Sequence, residues 1–433
     1  MQGAPDDFEG IIEETRSLLS LKKPLYEAAF KFKRSFARPD ILTPNKDGSW
    51  DLYEVKSSTS VKEINYADAA FQKYCYEGAG ITIRKVYLVY INNEYVKNGP
   101  IDPKALFIQE EITEQVESLV GNVENQINRM IDIIKQKECP DIKIGAQCDD
   151  PYECPLKIVC WDFLPKESVF ILNRIRKNKA FELIDSGITH IKDIPGDYSL
   201  SASQRIQFDC HTNGQVKVDS TAIKAFLDEL QFPIYFLDFE TVGPAVPVYD
   251  QSQPYQQVPF QFSLHILPGW DKEASHHAYL AEGQDDPRPE LLSKLESLIK
   301  DKGSILSYNM SFELARLRES VAVYPKYQEW FVGIEKRFLD LIVPFRKFDY
   351  YDPKQMGRTS IKNVFPALTG GTYEGLEIGD GGTASNEYAR VMFSDDISPD
   401  DKDCVLRGLE EYCKLDTQAM IDILKVLKGA AKI

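Results

Sequence analysis

The stretch 233-PIYFLDFE-240 constrains this chain more than any other. A run of aromatic and aliphatic residues of this kind reads as a strand made for the core. It nevertheless ends in Asp238 and Glu240, and residues two apart in an extended chain share a face. Two carboxylates therefore project side by side from the end of a buried strand, where unpaired charge is expensive. A divalent cation resolves that conflict, provided that other parts of the chain bring further ligands.

Length and composition set the frame for those ligands. With 433 residues the chain exceeds one ordinary core, so two domains with linking structure are expected. No stretch approaches the ~18 unbroken apolar residues of a membrane span, and the start, MQGAPDDFEG, is acidic and polar. A soluble cytoplasmic protein with no membrane partner is the expectation. The net charge of −16 argues against a high-affinity, non-specific DNA coater. It does not argue against a nuclease, whose centre is itself a cluster of acid. Eight cysteines in so long a chain do not make a disulfide scaffold, yet Cys139, Cys148, Cys154 and Cys160 crowd into one segment.

The order of elements points to an α/β fold. Residues 24–32 read as a strand-like run that contains Glu27, and 38–58 as a hairpin whose polar turn holds Asp-Gly. A helix over 61–79, a strand over 85–92 and a long helix over about 111–137 follow. Residues 166–228 read as mixed helix and loop. Beyond them come strands at 233–240, 260–267 and 304–309, helices near 289–300, 311–320 and 360–368, and a terminal helix from about 402 to 428.

Two constellations carry the chemistry. In the first, 51-DLYEVKSS-58 sets Glu54 and Lys56 on one face of a strand, and Asp40 ends the preceding strand of the hairpin. Carboxylates so placed can hold Mg²⁺ or Mn²⁺, and Lys56 can orient or activate water or offset charge on a phosphate. Gln72 and Tyr76 stand at i, i+4 on one helix face. Glu, Asp, E-x-K and Q-x-x-x-Y in this order resemble the PD-(D/E)XK nucleases of the RecB and CRISPR-adaptation type, over about residues 20–165. The resemblance implies Glu27, Asp40, Glu54 and Lys56 at a metal site, with Gln72 and Tyr76 toward the substrate. It also implies an iron–sulfur cluster held partly by Cys148, Cys154 and Cys160. No cysteine precedes Asp40, so either Cys139 substitutes, or relatives carry an N-terminal segment that this sequence does not include, or no cluster forms. Zinc and unligated buried thiols are the other readings of these cysteines.

In the second constellation, Asp238 and Glu240 gain partners from 304-SILSYNMSFELARL-317, with Asn309 at a strand–helix junction and Glu313 one turn in. Near the end, 411-EYCKLDTQAM-420 places Tyr412 and Asp416 at i, i+4. This set resembles the DEDD exonucleases of RNase H-like fold, in the tyrosine variant. The resemblance implies that Asp238, Glu240 and Asp416 ligate two metal ions and that Tyr412 positions the attacking water. Glu313 stands where most of that superfamily has Asp. Asp340 near the same cleft reads equally as a helix cap, and Lys362 as a phosphate contact or an exposed helix lysine.

Both halves together, with 38-RPDIL-42, 54-EVKSSTSVK-62, 254-PYQQVPFQFSLH-265 and 359-TSIKNVFPAL-368, resemble a bacterial family of uncharacterised function. That family joins a RecB-type nuclease domain to a DEDD-type exonuclease domain. The implied division is 1–165 for the first domain with its cysteines, 166–228 for a helical connector, and 229–433 for the second. The implied activity is metal-dependent cleavage of nucleic acid, DNA in preference to RNA, with a 3′–5′ exonuclease centre in the C-terminal domain. The alternatives are one active centre beside a substrate clamp, or a non-catalytic binding scaffold.

Overall fold

Alternating side chains in 41-ILTP-44 and 50-WDLYEVK-56 pair as an antiparallel hairpin, with Ile41 opposite Tyr53 and Pro44 opposite Trp50. Gly48 makes the turn possible, since its φ of 90° suits a residue without Cβ. The computed structural model describes residues 8–432. They form two compact units, one running to Lys143 and including Ala245–Tyr255, the other comprising Ile144–Pro244 and the residues from Gln256 onward.

In the first unit five strands lie in spatial order β1 (Leu25–Tyr26), β2 (Ile41–Pro44), β3 (Trp50–Lys56), β4 (Ile83–Ile91) and β5 (Phe107–Glu111). Only β3 and β4 run parallel, and such a pair needs a crossover. Helix α1 (Glu63–Gly78) supplies it, and α2 (Thr113–Ile134) joins the same core through Val116 and Val123. That core gathers Leu42, Leu52, Val86, Leu88, Ala69 and Tyr76. The run at 24–32 is not one strand. It breaks after Tyr26, because Glu27 takes a left-handed φ of 54°, and resumes at Phe30–Phe32. The segment 245–255 joins this unit by backbone pairing: Lys97 N–H donates to Ser252 O (3.0 Å) and Gln251 N–H to Lys97 O (2.9 Å).

The second unit begins differently from the division drawn on the sequence, which set residues 166–228 apart as a connector. These residues share a compact body with the C-terminal part. Helix α3 (Ala202–Asn213) brings His211, whose Nε2 lies 2.9 Å from the Tyr351 hydroxyl. Lys217–Val218 pair with Tyr350–Tyr351, and Ser220, at the start of α4 (Ser220–Asp228), donates to the Ala430 carbonyl at 2.9 Å. Gly357 is required for this closure, because a Cβ there would lie 2.0 Å from the Ile171 carbonyl oxygen.

Its sheet runs β8 (Ser275–Leu280), β7 (Val258–Leu267), β6 (Ile234–Val242), β9 (Ile305–Ser307), β10 (Phe338–Asp340). The first three form an antiparallel meander, and β9 and β10 add in parallel to β6. The predicted core strand is thus the central one. Helices α5 (Ser311–Val323), α6 (Ile361–Thr369), α7 (Gly381–Phe393) and α8 (Pro399–Ala430) complete the unit. The Ser398 hydroxyl caps α8 by accepting from Asp401 N–H, with Pro399 in the first turn. Leu424 and Leu427 of α8 pack with Phe236 and Leu306 in one core. Among the described residues no helix is long and apolar enough to cross a membrane.

Candidate metal centres

Strand β6 is buried along almost its whole length and runs on to Val242, so its central and later residues deliver Asp238 and Glu240 into the interior. Next to them the register with β7 slips by one residue around Phe260, so that Gln261 faces Glu240. Such a bulge re-aims side chains beside it. Helix α5 starts just after β9 and contributes Glu313 from its first turn, while α8 contributes Tyr412 and Asp416. The four carboxylates and Tyr412 line one cleft of about 500 Å³, together with Tyr308, Phe312 and Ser385 among others. Residues far apart in the chain thus line one cleft.

The electrostatics of this cleft are those of an uncompensated acid cluster. Burial, reinforced by the charges of Asp416, Glu240 and Glu313, pushes the Asp238 carboxyl well above its usual range. Burial and Asp416 push Glu240 up to about 8, and burial likewise takes Glu313 to about 8. Asp416 is raised by burial to about 6, held back by hydrogen bonding from Tyr373, by Lys362 and by Tyr412. The Tyr373 hydroxyl donates to Asp416 Oδ1 at 2.6 Å. Glu313 Oε2 is buried and accepts no hydrogen bond. Lys362 lies near, with its ammonium 5.1 Å from the Tyr412 ring centre, but it donates to the Gly379 carbonyl. Among the described residues, Asp238, Glu240 and Cys413 form the one His/Cys/Asp/Glu trio whose ligand atoms all lie within 4.8 Å of one another.

Asn309 and Asp340 take other places. Asn309 occupies a left-handed turn at φ 76°, which asparagine tolerates well. Its N–H donates to Asp340 Oδ1 (2.8 Å), and its side-chain oxygen accepts from Arg346 (3.0 Å). Asp340 also accepts from Ile342 N–H at 3.1 Å, so it braces the strand–helix junction.

In the first unit the acid is compensated. Glu54 is buried on β3, and its Oε1 accepts from Lys56 Nζ at 2.7 Å. The same ammonium meets Asp68 Oδ2 at 2.7 Å. Burial alone would make Lys56 less basic, but the hydrogen bonds it donates to Asp68 and Glu54 outweigh it and hold the lysine firmly charged. Glu54 is raised by burial, with Lys56 and Gln72 acting against the rise, and its Oε2 accepts no hydrogen bond. Asp40 Oδ2 accepts from Val55 N–H at 2.6 Å, which ties it to the strand carrying Glu54. Tyr76 is fully buried and its hydroxyl donates to Gln72 Oε1 at 2.8 Å, so it braces Gln72 instead of lining an open surface. Glu27 is half exposed beyond the end of β1, and its carboxylate pairs with Arg38 at 3.1 Å.

The sequence reading missed three neighbours of these sites. Asp68 was findable, since it stands four residues before Gln72 on the face that Gln72 and Tyr76 share. Cys413 was adjacent to Tyr412 in plain view, but its direction depends on how α8 seats on the sheet. Tyr373 comes from an irregular stretch and carries no periodic signal. Of the clustered cysteines, Cys148 is buried, Cys154 is intermediate, and Cys139 and Cys160 are exposed, all as free thiols. Cys154 N–H donates to the Cys148 carbonyl at 2.8 Å, yet no three of these thiols gather as closely as a single zinc ion requires.

The comparisons with known proteins give one family match, most of it in the second unit, and distant relatives over part of the chain. Residues 235–360 match the family described as "Domain of unknown function (DUF2779)", a stretch that takes in Asp238, Glu240 and Glu313 and stops before Tyr412. The chain is similar to the uncharacterized protein UU173 of Ureaplasma parvum, at 26% identity over 55% of this chain and 37% of that protein. It is also similar to the uncharacterized MG366 homolog of Mycoplasma pneumoniae, at 28% identity over 45% of this chain and 32% of that protein. The chain thus spans about a third of the length of these curated relatives. Together the matches fit a family whose function is uncharacterised.

Proposed function

We propose that this chain is a metal-dependent nuclease, with a 3′–5′ exonuclease centre in the C-terminal unit and a second phosphodiesterase centre, acting on DNA, in the N-terminal unit. The observation that carries the reading is the convergence of Asp238, Glu240, Glu313 and Asp416 in one cleft with no ion pair to any of them among the described residues. Buried like charges without a counter-ion are tolerated only when protonated or when a cation is brought in. The unpartnered Glu313 oxygen fits a ligand awaiting an ion, and the longer side chain at this position still reaches the cleft. A meander with two added parallel strands is compatible with the RNase H-like resemblance.

Mg²⁺ or Mn²⁺ held by these carboxylates would supply the charge stabilisation that an in-line displacement at phosphorus requires. The chain's own groups do the rest. Tyr412 lines the cleft and offers a hydroxyl to orient water. Tyr373 fixes one oxygen of Asp416 by donating to its Oδ1. Lys362 adds positive charge beside Tyr412, where a phosphate would be drawn in. In the N-terminal unit Lys56 is held as a cation, which suits it to charge stabilisation and not to taking a proton. The iron–sulfur ligands implied by resemblance, Cys148, Cys154 and Cys160, belong to the same proposal, and the absorbance of anaerobically purified protein tests them.

A one-centre version retains the C-terminal site, because that cleft alone leaves its acid uncompensated, whereas Glu54 already has Lys56. Labelled single-stranded DNA and RNA, with Mg²⁺ or Mn²⁺, distinguish these readings. Glu240→Gln is expected to lower 3′-end trimming about a thousandfold, or ~4 kcal/mol of transition-state stabilisation. Glu54→Gln should leave trimming intact and remove any internal cleavage. Absence of cleavage with either ion overturns the nuclease reading in favour of a binding scaffold, and trimming undiminished in Glu240→Gln overturns its assignment to this cleft.

A further inference from the structure

Cys413 has no part in the chemistry described so far, yet it stands inside the acid cluster. It is fully buried, and its Sγ lies 3.6 Å from Asp238 Oδ2. It is also within 4.8 Å of a Glu240 oxygen, so one sulfur and two carboxylates surround a common point. These spacings have a physical meaning. An ion bound tetrahedrally at ~2.3 Å from sulfur and ~2.0–2.2 Å from oxygen sets S and O roughly 3.5 Å apart. The trio therefore needs little movement to close on a zinc-sized ion. Independently, Glu313 of the same cleft is buried with one oxygen lacking any partner, which leaves a fourth donor without an assigned bond.

We propose that Asp238, Glu240 and Cys413 form a mixed oxygen–sulfur site that takes a thiophilic divalent cation of the zinc class in place of the all-oxygen arrangement suited to Mg²⁺. Softer metals prefer sulfur donors and harder ones oxygen, so the thiol biases this centre toward zinc and cadmium. Binding replaces the thiol proton, which passes to solvent, and no electron changes hands. A bound zinc-class ion would occupy the carboxylates on which Mg²⁺ depends, and the centre would then be switched off by excess zinc. This inference rests on reading Asp238 and Glu240 as a divalent-ion site.

The test uses the full chain stripped of metal and titrated with Cd²⁺, read by the ultraviolet thiolate-to-cadmium charge-transfer band. The other thiols contribute alike to every variant, so difference spectra isolate Cys413. One component should vanish in Cys413→Ser, with affinity at that site lower by more than ~100-fold. It should also weaken in Glu240→Gln, which keeps the thiol. Cys413→Ala supplies the same comparison, so a folding failure of one variant leaves the test intact. A spectrum unchanged in Cys413→Ser overturns the proposal. So does a component that needs Cys413 but is indifferent to Glu240. Mn²⁺ binding by paramagnetic resonance checks the underlying reading separately. Mn²⁺ bound without a Cys413 band removes only the sulfur ligand, and absence of both removes the metal centre as well.

Discussion

The two acid clusters differ in one respect that outweighs their likeness. In the N-terminal unit Glu54 is buried beside a lysine, and Lys56 shares its charge between Glu54 and Asp68 at 2.7 Å each. In the C-terminal unit four carboxylates meet without an ion pair among the described residues; Arg316 acts on Glu313 from a distance, and the nearby Lys362 ammonium is engaged by a backbone carbonyl. In the first site one lysine offsets part of the charge of Asp40, Glu54 and Asp68, so less of its acid is left for an ion to neutralise. The second stores repulsion that a proton or a metal must relieve. A cluster of acid is thus informative about metal binding only after its counter-ions are known.

The largest effect expected from this contrast lies at Lys56. Lys56→Met leaves Glu54 buried without its cation, and a chemical denaturation midpoint should report a loss of ~2–3 kcal/mol, somewhat below the range for a fully buried pair because Lys56 is partly exposed. Stability unchanged by this substitution would show that the pair is not what neutralises the site. Next comes the pH dependence of the C-terminal unit. Glu240 and Glu313 bind protons more tightly when folded, with values raised from 4.5 to about 8. Their contribution is complete below the unfolded value and is lost as pH rises through the folded one. In chelator, thermal unfolding should therefore shift downward across pH 4.5 to 8, and Mg²⁺ should reverse the shift at the upper end. A flat profile would break the contrast between the sites.

Glu313→Gln sharpens it in the opposite direction. Above about pH 8, where Glu313 is ionised, removing one of four repelling charges while keeping the shape should raise the metal-free melting temperature by roughly 2–4 °C for each ~1 kcal/mol gained. The same change should weaken Mn²⁺ binding, a trade expected where function stores strain. The smallest effect belongs to Tyr373→Phe. Loss of the 2.6 Å hydrogen bond to Asp416 should slow 3′-end trimming about tenfold, with little change in substrate affinity. A change in affinity alone would assign Tyr373 to substrate contact.

Much of the scaffold was legible because periodicity reports directly on which residues share a face. The hairpin around Gly48, the central strand carrying Asp238 and Glu240, and the long terminal helix all follow from local pattern. Glu27 was misplaced for a local reason too, since a left-handed residue inside an apolar run leaves no mark on hydrophobic alternation. The placement of 166–228 with the C-terminal unit rests on contacts such as His211 with Tyr351, which join distant residues and have no signature in either segment alone. Asn309 illustrates the same limit: its position at a strand–helix junction was readable, but its engagement by Arg346 was not.

By itself the sequence determined which side chains stand together within each element: Asp238 with Glu240, Tyr412 with Asp416, Glu54 with Lys56. Only the tertiary structure decided what each pair meets. A lysine bridged to Asp68 closes one site, while a thiol and a second tyrosine enter the other. The reason is physical. Spacing along a strand or helix is set by backbone geometry, whereas the charge balance of a buried site depends on how separate elements pack.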